Sequence, residues 1–377
     1  MWFKLNASVE VILLIAYALM WSVVPLYALF STYILYASGL TLIEIGVFST
    51  SYNIASMMGQ YLLGYLSDIM RSRRKVIIID LLLVTFITFF LMLNMRVSCY
   101  IVVSVLMGFL AGGFSTLMLA SSSEILVVKL GRSISIVRIG GAIGWIGGSL
   151  IIPLIILKSS LRYALLFVLI ESLMALIIVT LMLKETYSTK FNTKLTLSTW
   201  VALSLYSLIA GLSISSASWF LPVYVFIQHG SILFLGEVIA AGAAAEVPIM
   251  IITGRLFDNS LLFKKNLFII NGAVLSLAFA LYSLIPLSAL YLAQVIRGIG
   301  YALFIISTPA LLMSLGVKRG KGSAVFFTMF SMGSILGGLI GGTISTVIGV
   351  RNLFILLSIF FLIVSLAMNI TLNSRIN

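Results

Sequence analysis

The sequence predicts an all-α polytopic membrane protein whose twelve transmembrane helices form two six-helix bundles. Hydrophobic residues make up 62% of the chain and charged residues only 9%, whereas charged residues make up about a quarter of a water-soluble domain. Apolar runs long enough to span a bilayer follow one another almost end to end, and they are too long and too uniform for barrel strands. A short motif also recurs after half of the chain, which indicates two related halves.

Charges, glycines and prolines interrupt the apolar runs and divide them into twelve predicted helices. Six of these helices lie in the first half of the chain and six in the second. The first six are predicted at residues 8–35, 42–67, 76–95, 98–124, 133–157 and 161–183. The second six are predicted at residues 199–227, 232–257, 266–285, 288–315, 322–348 and 351–373. The sequence therefore predicts an N-terminal bundle over 1–183, a cytoplasmic central loop over 184–198 and a C-terminal bundle over 199–377.

The loop cations orient these helices in the membrane. The two termini, the loops after helices 2, 4, 6, 8 and 10, and the helix ends next to those loops carry 17 of the 23 lysines and arginines. The loops at the opposite ends of the helices, with the adjoining helix ends, carry four. Because short cytoplasmic loops carry the excess of lysine and arginine, we expect both termini in the cytoplasm and the protein in the cytoplasmic (plasma) membrane. The net charge of +13 therefore has a topological cause and does not indicate a nucleic-acid partner.

Two short stretches share a Gly-x-x-x-Asp motif followed by cations. They are GYLSDIMRSRRKV at 64–76 and GRLFDNSLLFKKN at 254–266, at the cytoplasmic ends of helices 2 and 8. Glycine lets two helices approach closely, and aspartate accepts hydrogen bonds from a helix N-terminus or pairs with a loop arginine. Such contacts can hold one face of a protein shut, so the candidate gating residues are Gly64, Asp68, Arg71, Arg73, Arg74, Gly254 and Asp258. The alternative is a pair of loops that only set the topology.

The first stretch resembles the signature of the major facilitator superfamily, which reads approximately G-x-x-x-D-[R/K]-x-G-[R/K]-[R/K] between helices 2 and 3. The matching residues are Gly64, Asp68, Arg73 and Arg74. The chain departs from the signature at Ile69, where the family has a cation, and at Arg71 and Ser72, where the glycine is missing. Arg71 is then the candidate replacement for the missing cation. With the second copy and the six-plus-six plan, the resemblance covers essentially the whole chain and implies the major facilitator fold.

Glu246 and Arg297 are charged residues near the middle of predicted helices 8 and 10. An ionisable group at the bilayer centre is costly, so each is expected to face a cavity or a partner of opposite charge. Their similar depth in the same half of the chain suggests a pair that lines a central cavity. The alternative is a salt bridge with a purely structural role.

Arg138 and Trp145 lie seven residues apart in predicted helix 5, which puts them about two turns apart on one face. Glycines at 140, 141, 144, 147 and 148 leave one side of this helix nearly bare, which favours tight packing against a neighbour. Arg138 can then point into a cavity as a hydrogen-bonding fork, and Trp145 as an aromatic platform for a flat or sugar-like ligand. The alternative is an interfacial arginine and a tryptophan in the lipid belt.

Three other acidic residues lie in or at the ends of predicted helices. Glu124 ends helix 4 and is expected to pair with Arg138 or with the cations of the next loop. Asp80 lies one turn into helix 3 and is expected to pair with the cations of the preceding loop. Glu171 lies midway along helix 6 without an obvious partner, which makes it a secondary candidate for a proton site.

Three stretches resemble the lactose permease branch of the superfamily, with its oligosaccharide, nucleoside and phenylpropionate proton symporters. R-x-x-G-x-x-G-W at 138–145 is similar to helix 5 of that branch, A-E-V at 245–247 to its helix 8, and Q-x-x-R-G at 294–298 to its helix 10. The resemblance implies that Arg138, Trp145 and Glu246 bind substrate. Arg297 stands where the branch usually has histidine, and arginine does not release its proton. A coupling proton would therefore bind Glu246 or Glu171.

The sequence contains no motif typical of an enzyme or a metal site. It has no G-x-x-x-x-G-K-[ST] stretch for ATP, and its one histidine and one cysteine do not supply a metal-ligand cluster. We expect a secondary transporter without a cofactor that acts as a monomer in the lipid bilayer. Proton symport of a sugar, nucleoside, aromatic acid or drug-like solute is the expected activity. The alternatives are an efflux antiporter of the same fold and, less well supported by composition, a membrane-embedded enzyme or receptor.

Overall fold

The computed structural model describes residues 2–125, 130–185, 197–314 and 319–373. The helices of the first half are α1a (Trp2–Tyr27), α1b (Leu29–Ala37), α2 (Leu42–Ile69), α3 (Arg73–Leu93), α4 (Val97–Ile125), α5 (Leu130–Lys158) and α6 (Leu161–Met182). Those of the second half are α7 (Leu197–Ile227), α8 (Ile232–Asn259), α9 (Leu261–Leu284), α10 (Leu290–Ser314), α11 (Arg319–Ile348) and α12 (Val350–Asn373). The predicted all-α architecture is confirmed. Most of the predicted central loop lies outside the described residues.

Eleven helices within the described ranges are long and apolar enough to cross a membrane, with Glu10–Ala37 counted as one. Helix α2 is not among them, although its 28 residues are sufficient to span a bilayer. Its polar residues Asn53, Ser56 and Gln60 line a central cavity. The lower hydropathy of α2 is therefore explained by residues that face the inside of the protein.

The first predicted helix is interrupted rather than continuous. It begins at Trp2, six residues earlier than expected, and is broken at Ala28 between α1a and α1b. Pro25 lies in the last turn of α1a. Because proline has no N–H to donate and its ring presses on the carbonyl of the preceding turn, it weakens the helix where the break occurs.

Side-chain caps determine where several helices begin. At α2, the backbone N–H of Glu44 donates to Thr41 Oγ1 at 3.3 Å while the Thr41 N–H donates to the Glu44 carboxylate at 2.7 Å, a capping box. Ser72 and Ser260 accept from N–H groups in the first turns of α3 and α9. These caps start both helices earlier than predicted. Arg73, Arg74 and Lys75 therefore lie in the first turn of α3, and Lys264 lies in the first turn of α9, rather than in a loop.

The two halves repeat the same set of helix pairs. In the first half, α1a packs on α5, α2 on α4 and α3 on α6; in the second, α7 packs on α11, α8 on α10 and α9 on α12. Each pair in the second half corresponds to the pair six helices earlier. The halves meet chiefly through α2 with α11 and through α5 with α8. The internal repeat seen in the sequence thus extends to the packing.

Glycines at a spacing of four residues bring α5 against α1a. A Cβ on any of these glycines would overlap a backbone carbonyl oxygen of α1a, and the pairs are Gly140 with Leu14, Gly144 with Ala18 and Gly148 with Ser22. The predicted tight packing of this helix is confirmed. Gly147 is the exception, since a Cβ there would have no neighbour within 4 Å.

The halves are in close contact at the predicted outer end. A Cβ on Gly46 of α2 would lie 2.8 Å from the carbonyl oxygen of Gly338 and 3.0 Å from Cα of Gly342, both in α11. The Tyr33 hydroxyl of α1b donates to the carbonyl oxygen of Gly230 at 3.0 Å. Further along α2, Asn53 donates to the carbonyl oxygen of Ser334 at 3.2 Å. Helices from opposite halves touch beyond this level too, since Ser331 Oγ donates to Gln60 Oε1 at 3.3 Å and Ser135 Oγ of α5 donates to the carbonyl oxygen of Met250 in α8 at 2.9 Å.

Candidate functional site

A central cavity of about 300 Å³ lies between the two halves. Its walls come from helices α1a, α1b, α2, α4 and α5 of the first half and from α7 to α11 of the second. Among the described residues that line it, those charged at neutral pH are Arg138, Glu246 and Arg297. The volume lies at the small end of the range for sites that bind organic molecules.

Glu246 and Arg297 form an ion pair in this cavity. Arg297 Nη2 lies 2.7 Å from Glu246 Oε1, and the two side chains are 12% and 9% exposed respectively. Two glycines bring α8 and α10 close enough for this contact. A Cβ on Gly242 would lie 3.2 Å from Arg297 Nη2, and one on Gly298 would overlap the Gly242 carbonyl oxygen. The expected location of both charges in a central cavity is found, and their pairing joins α8 to α10.

Polar and aromatic groups surround the Arg297 end of the pair. The guanidinium lies 5.5 Å from the centre of the Tyr301 ring, a cation–π distance. The Tyr282 hydroxyl donates a short hydrogen bond to Gln294 Oε1 on the same wall. Arg297 Nε is buried and has no hydrogen-bond partner among the described residues. The ion pair thus leaves part of the guanidinium unsatisfied.

Arg138 and Trp145 share the cavity-facing side of α5, as their spacing predicts. The Arg138 guanidinium lies 5.3 Å from the centre of the Phe327 ring of α11. Among the residues that the structure describes, it forms no ion pair, and its Nε has no acceptor. The Trp145 ring lies 5.5 Å from that of Trp21, centre to centre. These positions favour the cavity interpretation of Arg138 and Trp145 over an interfacial one.

Aromatic residues that the sequence did not single out form much of the wall. Trp21 of α1a lies beside Trp145, and the Tyr17 ring lies 5.9 Å from that of Trp21. The Tyr17 hydroxyl donates to Ser115 Oγ at 3.3 Å. Tyr52 of α2 meets Trp219 of α7 edge to face, with ring centres 5.1 Å apart. Aromatic residues make up 12% of the chain, so nothing in their number or spacing separates these from the aromatic residues that fill the core.

Two predicted acidic site residues lie away from the cavity lining. Glu171 on α6 accepts a hydrogen bond from Ser22 Oγ of α1a at 3.0 Å. The expectation that Glu124 pairs with Arg138 is wrong, since Glu124 Oε1 lies 3.6 Å from Arg73 Nε. The distance along the sequence between α4 and the start of α3 concealed this contact. Lys129 lies outside the described residues, and so does the side chain of Arg132.

Asp80 does not pair with the loop cations as expected. Its side chain is fully buried in α3, and neither carboxylate oxygen has a hydrogen-bond partner among the described residues. Arg73 and Arg74 bond to other groups instead, and Lys75, the nearest cation along the chain, is exposed. A buried carboxyl without a partner is costly, so Asp80 is a residue whose presence the packing alone does not explain.

The first Gly-x-x-x-Asp motif belongs to a polar cluster at the predicted cytoplasmic end. Arg73 Nη1 lies 2.6 Å from Asp68 Oδ1, and the Asp68 side chain is 55% exposed. Arg74 donates to the carbonyl oxygen of Thr180 in α6 at 2.5 Å. Ser72 Oγ donates to Glu185 Oε2 at 2.8 Å. With the Arg73–Glu124 contact, these bonds connect the loop to the ends of α4 and α6 within the first half.

Asp68 pairs with an arginine that follows the motif, as expected, and the structure adds two details. Arg73, rather than Arg71, pairs with Asp68, while Arg71 is exposed and takes a left-handed backbone conformation with φ of 49°. That conformation suits glycine, which is the residue missing from the signature here. A Cβ on Gly64 would make only an ordinary contact with Thr116 at 3.9 Å, so Gly64 does not provide a close helix approach. In the second copy, Gly254 is buried and Asp258 is half-buried.

Comparison with known families and structures identifies the architecture. Residues 11–316 match the family described as Major Facilitator Superfamily. The human organic anion transporter MFSD10 (TETRAN) is 15% identical with a TM-score of 0.76, covering 96% of this chain and 99% of its own. The nucleoside transporter NupG is 16% identical with a TM-score of 0.70, covering 98% and 99%.

A bacterial homolog of the human lysosomal transporter Spinster, in an inward-facing and unoccupied conformation, also has this fold. It is 15% identical with a TM-score of 0.72, covering 98% of this chain and 97% of its own. No match was found among curated protein sequences. At these identities the likeness to the solved structures concerns the fold alone.

Proposed function

The chain belongs to the Major Facilitator Superfamily and is a membrane transporter, and on that premise we propose that it moves a small organic solute by alternating access at the central cavity. The observation that carries this proposal is the buried Glu246–Arg297 pair in a cavity between two repeated halves. Charges at this depth are costly unless they serve a pathway or a partner. A substrate-binding role gives a reason for both residues.

Alternating access requires that each end of the cavity closes in turn while the halves move as units. The contacts of Gly46 with α11 and of Tyr33 with Gly230 are suited to close the predicted outer end. We assign the opposite closure to the two Gly-x-x-x-Asp motifs, at Asp68 and Asp258. In the present conformation Asp68 pairs with Arg73 of its own half. In the opposite conformation, with the cytoplasmic end closed, Asp68 would exchange Arg73 for another partner.

Glu246 is the proposed coupling residue, with proton symport as the proposed mode. The Glu246 carboxylate is held by Arg297 at 2.7 Å, so a proton or a substrate group would have to replace the guanidinium at this carboxyl. Coupling therefore requires the pair to separate during the cycle, when substrate or a proton replaces one partner. Glu171 is the second candidate, although it lies on α6 beside Ser22 and does not line the cavity.

A transport assay tests this role of Glu246. In proteoliposomes with an imposed proton gradient, Glu246→Gln should lose accumulation of substrate but keep exchange of substrate across the membrane, because the amide retains the shape and cannot ionise. Glu171→Gln provides the matched comparison. Accumulation by Glu246→Gln equal to that of the parent, with the same dependence on external pH, would transfer the coupling role to Glu171.

The proposed orientation places both termini in the cytoplasm, on the evidence of the loop cations. A single cysteine at Thr189→Cys, in a background with Cys99→Ser, should not react in intact cells with a thiol reagent that cannot cross the membrane. Thr189 lies outside the described residues but in the central loop of the sequence. Reaction before the cells are lysed would invert the proposed topology.

A further inference from the structure

We propose that the cavity selects organic monoanions with a flat apolar body, such as an aromatic carboxylate. This inference rests on the proposed transport function and names its substrate class. It comes from the balance of charge in the cavity and from the position of the aromatic wall relative to the excess charge.

The cavity holds one more positive than negative side chain. Glu246 and Arg297 neutralise each other at 2.7 Å. Arg138 lines the same cavity, stays charged at any physiological pH, and has no carboxylate partner among the described residues. Its described attractive contacts with side chains are the face of Phe327 and a longer-range attraction to Glu246, which is already paired with Arg297. A cation–π contact is much weaker than an ion pair. An anionic ligand would supply the missing charge.

Four acidic residues of the first half contact groups other than Arg138 or lie in a helix that does not line the cavity. Glu171 meets Ser22, Glu124 and Asp68 meet Arg73, and Asp80 lies in α3. Glu246 itself interacts electrostatically with both Arg138 and Arg297. The carboxylate of a ligand between these arginines would complete two pairs of opposite charge. A guanidinium suits this purpose because it binds a carboxylate through two parallel hydrogen bonds.

The preference for a flat body follows from the wall next to Arg138. Trp145 lies two turns along the same face of α5, and Trp21 lies 5.5 Å from it. Tyr52 and Trp219 occupy the wall formed by α2 and α7. Aromatic faces favour stacked or edge contacts with a second ring. A cavity of about 300 Å³ accommodates one such ring system with its head group.

Binding to the purified full-length protein tests charge and shape separately. The probes are 2-naphthoate, its neutral amide 2-naphthamide, the cationic 2-naphthylmethylamine and the ring-free anion hexanoate, measured by calorimetric titration. A charge-assisted pair in place of a neutral contact predicts that 2-naphthoate binds about 10- to 100-fold more tightly than the amide. Hexanoate should be weaker than 2-naphthoate. Equal binding of the amide, or tighter binding of the amine, overturns the proposal.

Substitutions that change the cavity charge provide the second arm. Arg138→Gln brings the net charge of the cavity to zero and should reduce the preference for 2-naphthoate over the amide to near unity. The control Arg162→Gln, at an exposed arginine outside the cavity lining, should leave it unchanged. If Arg138→Gln does not fold, Glu246→Gln decides, because it adds one positive charge and should favour naphthalene-2,6-dicarboxylate over 2-naphthoate. No change of preference in Glu246→Gln overturns the proposal.

Two further readouts separate this inference from the transport proposal and from inorganic anions. Selective binding of 2-naphthoate without its uptake into proteoliposomes would refute transport and leave the anion site standing. Uptake of a neutral or cationic solute at this cavity, with no preference for anions, would support transport and refute this inference. If chloride stabilises the protein and 2-naphthoate does not displace it, the charge that compensates Arg138 is an inorganic ion. That result would also refute the proposal of an organic-anion site.

Discussion

Breaking the Glu246–Arg297 pair should destabilise the protein far more than the same substitution nine residues earlier on α8. Glu246→Gln leaves the Arg297 guanidinium buried without its carboxylate, in a side chain that is only 12% exposed. Removal of one partner from a buried ion pair costs about 3–5 kcal/mol, since an uncompensated charge remains. The free energy of unfolding should fall by that amount.

Glu237→Gln is the matched control for this loss. Glu237 is half-buried and accepts a hydrogen bond from the Tyr291 hydroxyl at 2.6 Å, so its partner is neutral. Loss of such a bond costs about 1 kcal/mol. The double variant Glu246→Gln with Arg297→Gln removes both charges and should recover most of the loss of the single variant, because no buried cation is left unpaired.

Chemical denaturation of the purified protein in detergent measures these differences in the free energy of unfolding. The apparent unfolding temperature of each variant provides a second measurement. Three results together support the reasoning: a large loss in Glu246→Gln, a small loss in Glu237→Gln, and recovery in the double variant. If the two single variants lose equal stability, or if the losses of Glu246→Gln and Arg297→Gln simply add, the pair is hydrated and its burial does not govern its energetics.

Three other substitutions test the remaining features. Asp68→Asn should slow transport while it leaves ligand binding and stability nearly unchanged, because an exposed pair is worth only about 0–1 kcal/mol; normal transport with lost binding would assign the motif to the binding site instead. Gly144→Ala should lower the free energy of unfolding by about 1–3 kcal/mol, because its Cβ would overlap α1a. Gly147→Ala has open space at its Cβ and should be neutral or stabilising, so equal effects of the two variants would contradict the packing. Asp80→Asn should raise the unfolding temperature, since a buried carboxyl without a partner is removed; a decrease would show that the carboxyl has a stabilising role.

Several features of the site were predictable because they depend on local periodicity. Arg138 and Trp145 share a face since seven residues make about two turns of any α-helix. The glycines of α5 predicted a close neighbour because a side without side chains admits another backbone. The depth of Glu246 and Arg297 followed from their positions within apolar runs of bilayer length.

Other features required helices that are distant in sequence to be placed together. Glu124 meets Arg73 across 51 positions of the chain, and nothing local to either residue indicates that contact. Trp21 lies beside Trp145 only because three glycines bring α5 onto α1a. The choice of Arg73 over Arg71 as partner of Asp68 depends on the turn geometry after α2.

The sequence by itself determined that this is a helical membrane protein with two related halves. In hydrocarbon every backbone group must be paired, and a helix satisfies that condition within one segment, so composition and run length are sufficient. The tertiary structure alone decided that Arg138 has no ion-pair partner among the described residues. Arg138 and Arg297 both lie in apolar helices. Arg297 has the Glu246 carboxylate at 2.7 Å, whereas Arg138 faces the ring of Phe327. That difference arises because electrostatic pairing depends on distances between helices, which local sequence does not encode.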